Sequence, residues 1–279
     1  MAAPVEAATT IFEPPTTTGG SKARAGRVKR HVYQLLCVVA VLLAWTAVCA
    51  SGTFTTQALP TPVAVFGQWT DLLATSVFWD AVGNTLRGAV VGLLFAVAVG
   101  VPLGLVTGTY AAVELSSRIL VDFMRSFPVI ALLPVFLLVL GSTPEMKSTV
   151  VFIACVFPIF LQAQYGARGV APMISETVRS YRIPRLLRFR RVILPSATPS
   201  IMTGLRLAAT TSVLVAIGVE ILTTLPGIGH EVTQQQQSGN AATAYAYIFS
   251  AGLLGYGINR GSMLLESTLL RWRPPTQAA

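Results

Sequence analysis

The chain has 279 residues, 53% of them hydrophobic and 11% charged, with a formal net charge of +9. Soluble domains carry about a quarter charged residues, so most of this chain belongs in lipid rather than in a water-facing fold. The positive residues are clustered, which suits segments beside anionic lipid, and with almost no soluble surface to display them a nucleic-acid site is excluded. Cys37, Cys49 and Cys155 lie inside apolar runs with no close pair, and His31 and His230 are remote from them in sequence. No disulfide framework or metal site follows from such spacing.

In chain order, residues 1–30 are rich in Ala, Thr, Pro and Gly and end in Lys22, Arg24, Arg27, Lys29 and Arg30. They hold too little apolar surface to fold and read as a disordered basic tail. Residues 31–59 then hold a first membrane helix, apolar from about Leu35 to Ala50, and the start of an outer loop. A basic stretch, an apolar core and Val48-Cys49-Ala50 also fit a cleaved signal peptide. The long leading region, and the need of the remaining chain for a first span, favour an uncleaved anchor.

A hydrocarbon core of ~30 Å needs roughly 20 apolar residues per helix. Five further stretches come near that length, at about 86–109, 118–141, 148–166, 200–222 and 244–265. The stretch at 118–141 is the weakest, because it is fully apolar only from Phe127 to Leu140 and carries Pro128 and Pro134. In the 86–109 stretch, Gly100, Gly104 and Gly108 stand four apart and follow Gly88 and Gly92. Such a ladder lies on one helix face and lets another backbone come close, so helix packing is the expected role.

Six spans put both ends on one side, and the charges choose the side. The loop at 167–199 holds Arg168, Arg179, Arg182, Arg185, Arg188, Arg190 and Arg191, and the C-terminus holds Arg271 and Arg273. Residues 52–84 and 223–243 hold no Lys or Arg, and 142–147 holds only Lys147. The positive-inside rule places both termini and the 167–199 loop in the cytoplasm. The expected fold is an all-α polytopic membrane protein of about six transmembrane helices.

Among the charges within the expected spans are Arg206, about one turn into the fifth, and Glu220, near its outer end. Both must face protein or water rather than lipid. They either line a pathway or, for Arg206, snorkel to the headgroups and, for Glu220, pair or protonate near the outer interface.

Little in the chain carries chemistry of its own. Gly-Ser-Thr-Pro-Glu-Met-Lys-Ser over 141–148 is one residue from a phosphate-binding P-loop, with Met146 at the second glycine. That loop belongs between a strand and a helix of a soluble domain, not in a short outer turn. No Ser/His/Asp set is available, so no catalytic residues are expected. Gln234 to Gln237 read as a solvated or interfacial turn. If the machine consumes ATP, another chain must bind it.

The 167–199 loop is more elaborate than a connector requires. Ser175 is placed to cap a helix beginning at Glu176, where a carboxylate favours the helix N-terminus. Ile183-Pro184 ends that helix, because the residue before proline avoids the helical region. After Pro184, Leu186, Phe189, Val192 and Ile193 fall near helical spacing, with Arg188 and Arg191 flanking a basic amphipathic stub. Lipid anchoring explains the stub but not the separately capped first part.

This loop resembles the cytoplasmic coupling loop of ABC importer permeases, with their Glu-Ala-Ala…Gly…Ile-x-Leu-Pro pattern. Glu176 matches the glutamate, Thr177-Val178 replaces the alanines, and Val192, Leu194 and Pro195 match the end. Over about residues 60 to 273 the chain is similar to the nitrate/taurine/alkanesulfonate branch, through Arg125-Ser126-Phe127-Pro128, Ala131-Leu132-Leu133-Pro134, Phe157-Pro158, Thr203-Gly204-Leu205-Arg206, Glu220 and Arg271-Trp272-Arg273.

The resemblance implies a type I importer fold. Its permease domain is 60–273, with the coupling loop inside it, followed by a cytoplasmic tail at 274–279. It implies a multi-pass subunit of a bacterial inner (plasma) membrane. Its partners would be cytoplasmic ABC ATPase subunits that hold ATP and Mg, a second permease copy forming a homodimer, and an extracytoplasmic solute-binding protein. This chain would hold no cofactor. The branch suggests a small anion such as a sulfonate or nitrate. Gly204, Arg206 and Glu220 become pathway or helix-interface candidates. A stand-alone secondary transporter or channel is the alternative, and it would call for inverted repeats or midplane ion pairs. The family glycine falls at Arg182, where a left-handed turn costs a non-glycine residue ~1–2 kcal/mol. The expectation is that Ile183-Pro184 supplies the break and the turn shifts.

Overall fold

The computed structural model describes residues 19–270. The chain divides into two units, Met1–Phe54 and Thr55–Ala279. The first contains α1 (Gly19–Ala50), whose stretch Val32–Ala50 is apolar enough to cross a membrane. The helix starts ahead of residue 31, where the sequence places the end of the tail.

The second unit opens with α2 (Pro62–Leu73) and α3 (Ser76–Thr109). Each has a threonine cap. The Thr61 hydroxyl accepts the Ala64 N–H and the Thr75 hydroxyl accepts the Phe78 N–H, each at 3.4 Å. Such caps satisfy N–H groups that have no partner within the helix. At 34 residues α3 is ~51 Å long and overruns a hydrocarbon core at its ends.

The expected span at 118–141 is not one helix. α4 (Ala111–Ser126) ends at Phe127, which is extended with φ −73° and ψ 127°. Pro128 excludes the helical region for its predecessor. A single 3-10 turn (Val129–Leu132) leads into α5 (Leu133–Leu140). The apolar segment Val129–Leu140 is shorter than a span. α4 itself is two-faced. Leu115, Ile119 and Phe123, four residues apart, are exposed on one side, and Glu114, Arg118, Asp122 and Arg125 form the other. That is the pattern of a helix lying in a membrane interface.

α6 (Pro144–Arg168), α9 (Leu194–Leu222), α10 (Ile228–Gln237) and α11 (Ala241–Leu269) complete the bundle, with the short helices α7 (Pro172–Ser180) and α8 (Arg185–Arg188) between α6 and α9. Five helical stretches among the described residues are long and apolar enough to span, namely Val32–Ala50, Ser76–Thr109, Pro144–Arg168, Arg185–Leu222 and Ala241–Leu269.

α6 is the centre of the bundle. Its Met146, Val150, Val151, Cys155 and Ile159 are fully buried, packed with Ala89 and Ala96 of α3 and Ala208, Ala216 and Val219 of α9. The glycine ladder of α3 makes this possible. A Cβ on Gly92 would meet the Ser148 carbonyl at 2.6 Å, one on Gly100 the Val156 carbonyl at 3.0 Å, and one on Gly104 would overlap the Phe160 carbonyl. Gly108 faces the Gln164 carbonyl in the same way. In lipid no hydrophobic effect pulls helices together, so close backbone approach and dispersion must hold them.

The order of these contacts fixes direction. Positions rise together along α3 and α6, so the two helices are parallel. The connection through α4 and α5 must therefore return across the bundle. α9 runs antiparallel to α6, with Gly204 against Gln162 and the Cys155 thiol donating to the Ala208 carbonyl at 3.3 Å.

Gly104→Ala is expected to cost about 1–3 kcal/mol through overpacking. Gly83→Ala, with nothing within 4 Å of the added carbon, should gain up to about 1 kcal/mol in helix propensity. Thermal unfolding in detergent compares the two. Equal shifts would refute the α3–α6 register.

Candidate functional site

The polar chemistry gathers at the two ends of the bundle. At one end, Thr143 caps α6, its hydroxyl accepting the Met146 N–H at 3.2 Å, and Pro144 takes the first turn. Helix therefore begins before Lys147, and Lys147 points into the bundle. Its ammonium donates to Glu220 Oε1 at 2.9 Å, the Asn84 carbonyl at 3.1 Å and the Pro226 carbonyl at 3.2 Å. All three protons of the ammonium are committed. Glu220 Oε2 accepts from the Thr85 hydroxyl at 2.9 Å and the Gly229 N–H at 3.0 Å. The Thr85 oxygen accepts the Ile228 N–H at 2.9 Å.

The side chains of Lys147 and Glu220 are 4% and 0% exposed. One charge of a buried pair cannot stand without the other, and the remaining donors and acceptors must be met as well. Here they are. Two glycines make the room. A Cβ on Gly88 would reach Lys147 Cε at 2.6 Å, and one on Gly227 would overlap the Glu220 carboxylate. The network ties α3, α6, α9 and the 223–229 turn together.

Sequence reasoning anticipated Glu220 as a charge needing a partner but assigned Lys147 to an outer loop. The missed signal was Thr143-Pro144-Glu145, a helix start that puts Lys147 within the helix. Thr85 and Gly229 carried no such signal. Arg87, inside the 86–109 stretch, was passed over as well.

At the other end, Arg206 pairs with Glu266 of α11 at 3.3 Å, with side chains 34% and 25% exposed. Arg168, closing α6, pairs with Glu114 of α4. Gly204, two residues before Arg206, faces α6, where its Cβ would meet Gln162 at 2.8 Å.

The 167–199 loop is built differently from its sequence reading in three respects. α7 begins at Pro172, with Ala171 before it, so Ser175 is not its cap and Glu176 is mid-helix. Proline is favoured at that first position because its fixed φ suits the helix and its missing N–H is not needed. The left-handed turn is not shifted, because Arg182 itself has φ 49°. The Ile183 N–H donates to the Val178 carbonyl and the Arg182 N–H to the Arg179 carbonyl, at 3.2 and 3.1 Å. These are the two bonds of a Schellman ending, with an arginine in glycine's place. Finally, α8 is not a separate stub. It passes through a π turn (Phe189–Ile193) directly into α9. Pro195 has no N–H to offer, and a wider turn lets the chain pass it.

The loop surface is concave, with a cavity of about 520 Å³ lined by Glu176, Val178, Arg179, Arg182, Arg185 and Arg188 among others. Val178 is buried and Glu176, Thr177 and Arg182 are exposed. Val192, Leu194 and Pro195 lie away from this cavity on the π turn and the start of α9. Met173, Tyr181, Leu186 and Leu187 expose large apolar surface around it. No group of His, Cys, Asp and Glu suited to a metal occurs among the described residues. The geometry supports a docking surface joined stiffly to a membrane helix.

Residues 100–265 match the family described as "Binding-protein-dependent transport system inner membrane component". The putative aliphatic sulfonates transport permease protein SsuC of Bacillus subtilis (strain 168) is 25% identical over 261 residues, covering 93% of this chain and 95% of its own. SsuC of Escherichia coli (strain K12) is 28% identical and covers 85% and 90%. The nitrate import permease protein NrtB of Leptolyngbya laminosa is 25% identical and covers 83% and 85%. In structure, a chain of the MetNI methionine ABC transporter in an inward-facing conformation superposes with TM-score 0.60 at 19% identity, over 69% of this chain and 95% of that one. That likeness speaks to the fold.

Lys147→Met is expected to cost about 3–5 kcal/mol by stranding the Glu220 charge. Adding Glu220→Leu should recover a large part of the loss. Chemical denaturation of the three variants measures the coupling, and additive losses would contradict it. Arg182→Gly should stabilise the α7 ending by about 1–2 kcal/mol, read as slower amide exchange at Arg182 and Ile183. Arg182→Val should do the reverse.

Proposed function

This chain belongs to the binding-protein-dependent transport system inner membrane component family, and from that premise we propose how it works as the permease subunit of an ABC importer. Two copies form the pathway in a bacterial inner membrane, with both termini in the cytoplasm. A cytoplasmic ATPase, which holds ATP and Mg, docks on the α7–α8 surface. An extracytoplasmic binding protein delivers a small anionic solute of the sulfonate or nitrate kind, the solutes for which the relatives are named. The matched family is one of subunits in multi-component systems, which favours this reading over a stand-alone transporter.

The observation that carries the reading is the continuity of Arg185–Leu222 as one helical stretch of 38 residues. Its first turn presents Leu186, Leu187 and two arginines of the basic surface, Arg185 and Arg188, to the cytoplasm. Its far end carries Glu220. At ~1.5 Å per residue this lever is ~57 Å long. A displacement imposed on the loop by closing ATPases is delivered to the outer end without passing through a flexible linker. The Schellman turn at Arg182 fixes the angle between α7 and that lever. The chain itself performs no hydrolysis.

Coexpression with a candidate ABC ATPase partner tests the proposal. The two chains are expected to copurify in equal amounts, and Leu186→Ala with Leu187→Ala should weaken the complex at least about tenfold. Solute uptake by this chain alone in liposomes would overturn the reading.

A further inference from the structure

A cavity of about 600 Å³ opens between α3 and α6, at the end of the bundle that holds the buried pair. Its rim is charged. Glu145 stands in the first turn of α6, and Asn84 and Arg87 stand on α3. α3 and α6 are parallel and Gly88 is level with Lys147, so Arg87 and Glu145 lie near the same height on opposite walls. Below the rim the cavity is apolar. Arg87, Val91, Phe95 and Val99 follow one face of α3 at four-residue spacing, and Phe152 lines the α6 wall. Ser148 and Thr149 add no free polar group there. Their hydroxyls donate to the Pro144 and Glu145 carbonyls of their own helix, at 3.1 and 2.8 Å.

The dimensions decide what fits. The path from Arg87 to Val99 is ~18 Å of helix, close to the ~15 Å depth of one leaflet in a ~30 Å hydrocarbon core. A compact solute would cover the rim and leave Phe95 and Val99 bare. A protein helix ~10 Å across would fill ~1,400 Å³ over that length, more than twice the volume of the cavity. A single acyl chain is both long enough and thin enough.

The rim fits a headgroup. α6 has 25 residues, ~37 Å of helix, so its first turn reaches headgroup level. Neither the Arg87 guanidinium nor the Glu145 carboxylate has a partner among the described residues. The Lys147 ammonium is held by Glu220, Asn84 and Pro226. A purely anionic headgroup meets Arg87 but is repelled by Glu145. A phosphate that carries an ammonium answers both walls.

We infer that this cavity seats one phospholipid with an ammonium-bearing headgroup. Arg87 and Asn84 hold its phosphate, Glu145 holds its ammonium, and one acyl chain lies along Val91, Phe95 and Val99. The inference needs only a membrane-embedded chain and does not depend on which solute crosses. Arg87 and the apolar stripe supply retention, and Glu145 supplies the choice of headgroup.

The test reconstitutes the full chain in nanodiscs of equal phosphatidylethanolamine and phosphatidylglycerol, then transfers it to detergent. Native mass spectrometry counts the lipid it keeps. The chain should keep one lipid, with phosphatidylethanolamine enriched about fivefold, the upper range for an exposed ion pair. Glu145→Gln should erase that preference. Arg87→Gln should lower retention of both lipids, and Val91→Trp should do so by blocking the acyl path. Arg87 and Glu145 are exposed, so unchanged thermal unfolding in lipid-free detergent is expected of both charge variants and confirms that they are folded. Glycerophosphoethanolamine, the same headgroup without acyl chains, should not displace the lipid even in large excess. Displacement by it would make the cavity a site for soluble zwitterions and overturn the assignment. So would equal retention of the two lipids by the wild-type chain, or retention untouched by Arg87→Gln. A Val91→Trp chain that keeps its lipid but loses self-association would assign the groove to a second copy instead.

Discussion

Everything at one end of the bundle depends on one pairing, that of Lys147 with Glu220. A lone charge in this setting would be prohibitive, and the pair is tolerable because every donor and acceptor around it is met. That requirement reaches into the surrounding backbone. It demands carbonyls from Asn84 and Pro226, an N–H from Gly229, and glycines at 88 and 227 to make space. A polar network of this kind has one good arrangement, so it pins four separate segments to a single register where apolar packing alone would tolerate sliding.

The interior of the bundle follows a different rule. α3, α6 and α9 approach so closely that backbone meets backbone, and small residues at Gly92, Gly100, Gly104, Gly166 and Gly204 are what allow it. α9 joins both regimes. One end carries the glutamate of the network and the other continues into the basic loop, so a single rigid element spans the distance between the two faces of the membrane.

The sequence showed clearly what depends on local pattern. Apolar length and four-residue glycine spacing are properties of short windows, and most of the membrane helices and the ladder were legible from them, whereas the stretch at 118–141 was broken at Pro128. The pairing of Lys147 was not, because 73 residues separate it from Glu220 and its neighbours resembled a loop motif. Asn84 and Pro226 contribute backbone carbonyls, which no side-chain pattern reports. The loop was legible as a knob but not in detail. Pro172 moved the helix start upstream of the expected cap, and Arg182 accepted the left-handed conformation that its side chain disfavours. There, two backbone hydrogen bonds of the helix ending outweigh a local preference of ~1–2 kcal/mol.

The return crossing through α5 carries a consequence for the lipid itself. Val129–Leu140 has about twelve apolar residues, ~18 Å of helix against a hydrocarbon thickness of ~30 Å. Val135, Leu138 and Val139 present their side chains outward. A segment so short creates hydrophobic mismatch on one flank of the bundle. The adjoining leaflet must thin there, while the ~51 Å of α3 props it up elsewhere. The protein therefore sits in an unevenly thick annulus of its own making, and membranes of different acyl-chain length will not be equivalent solvents for it.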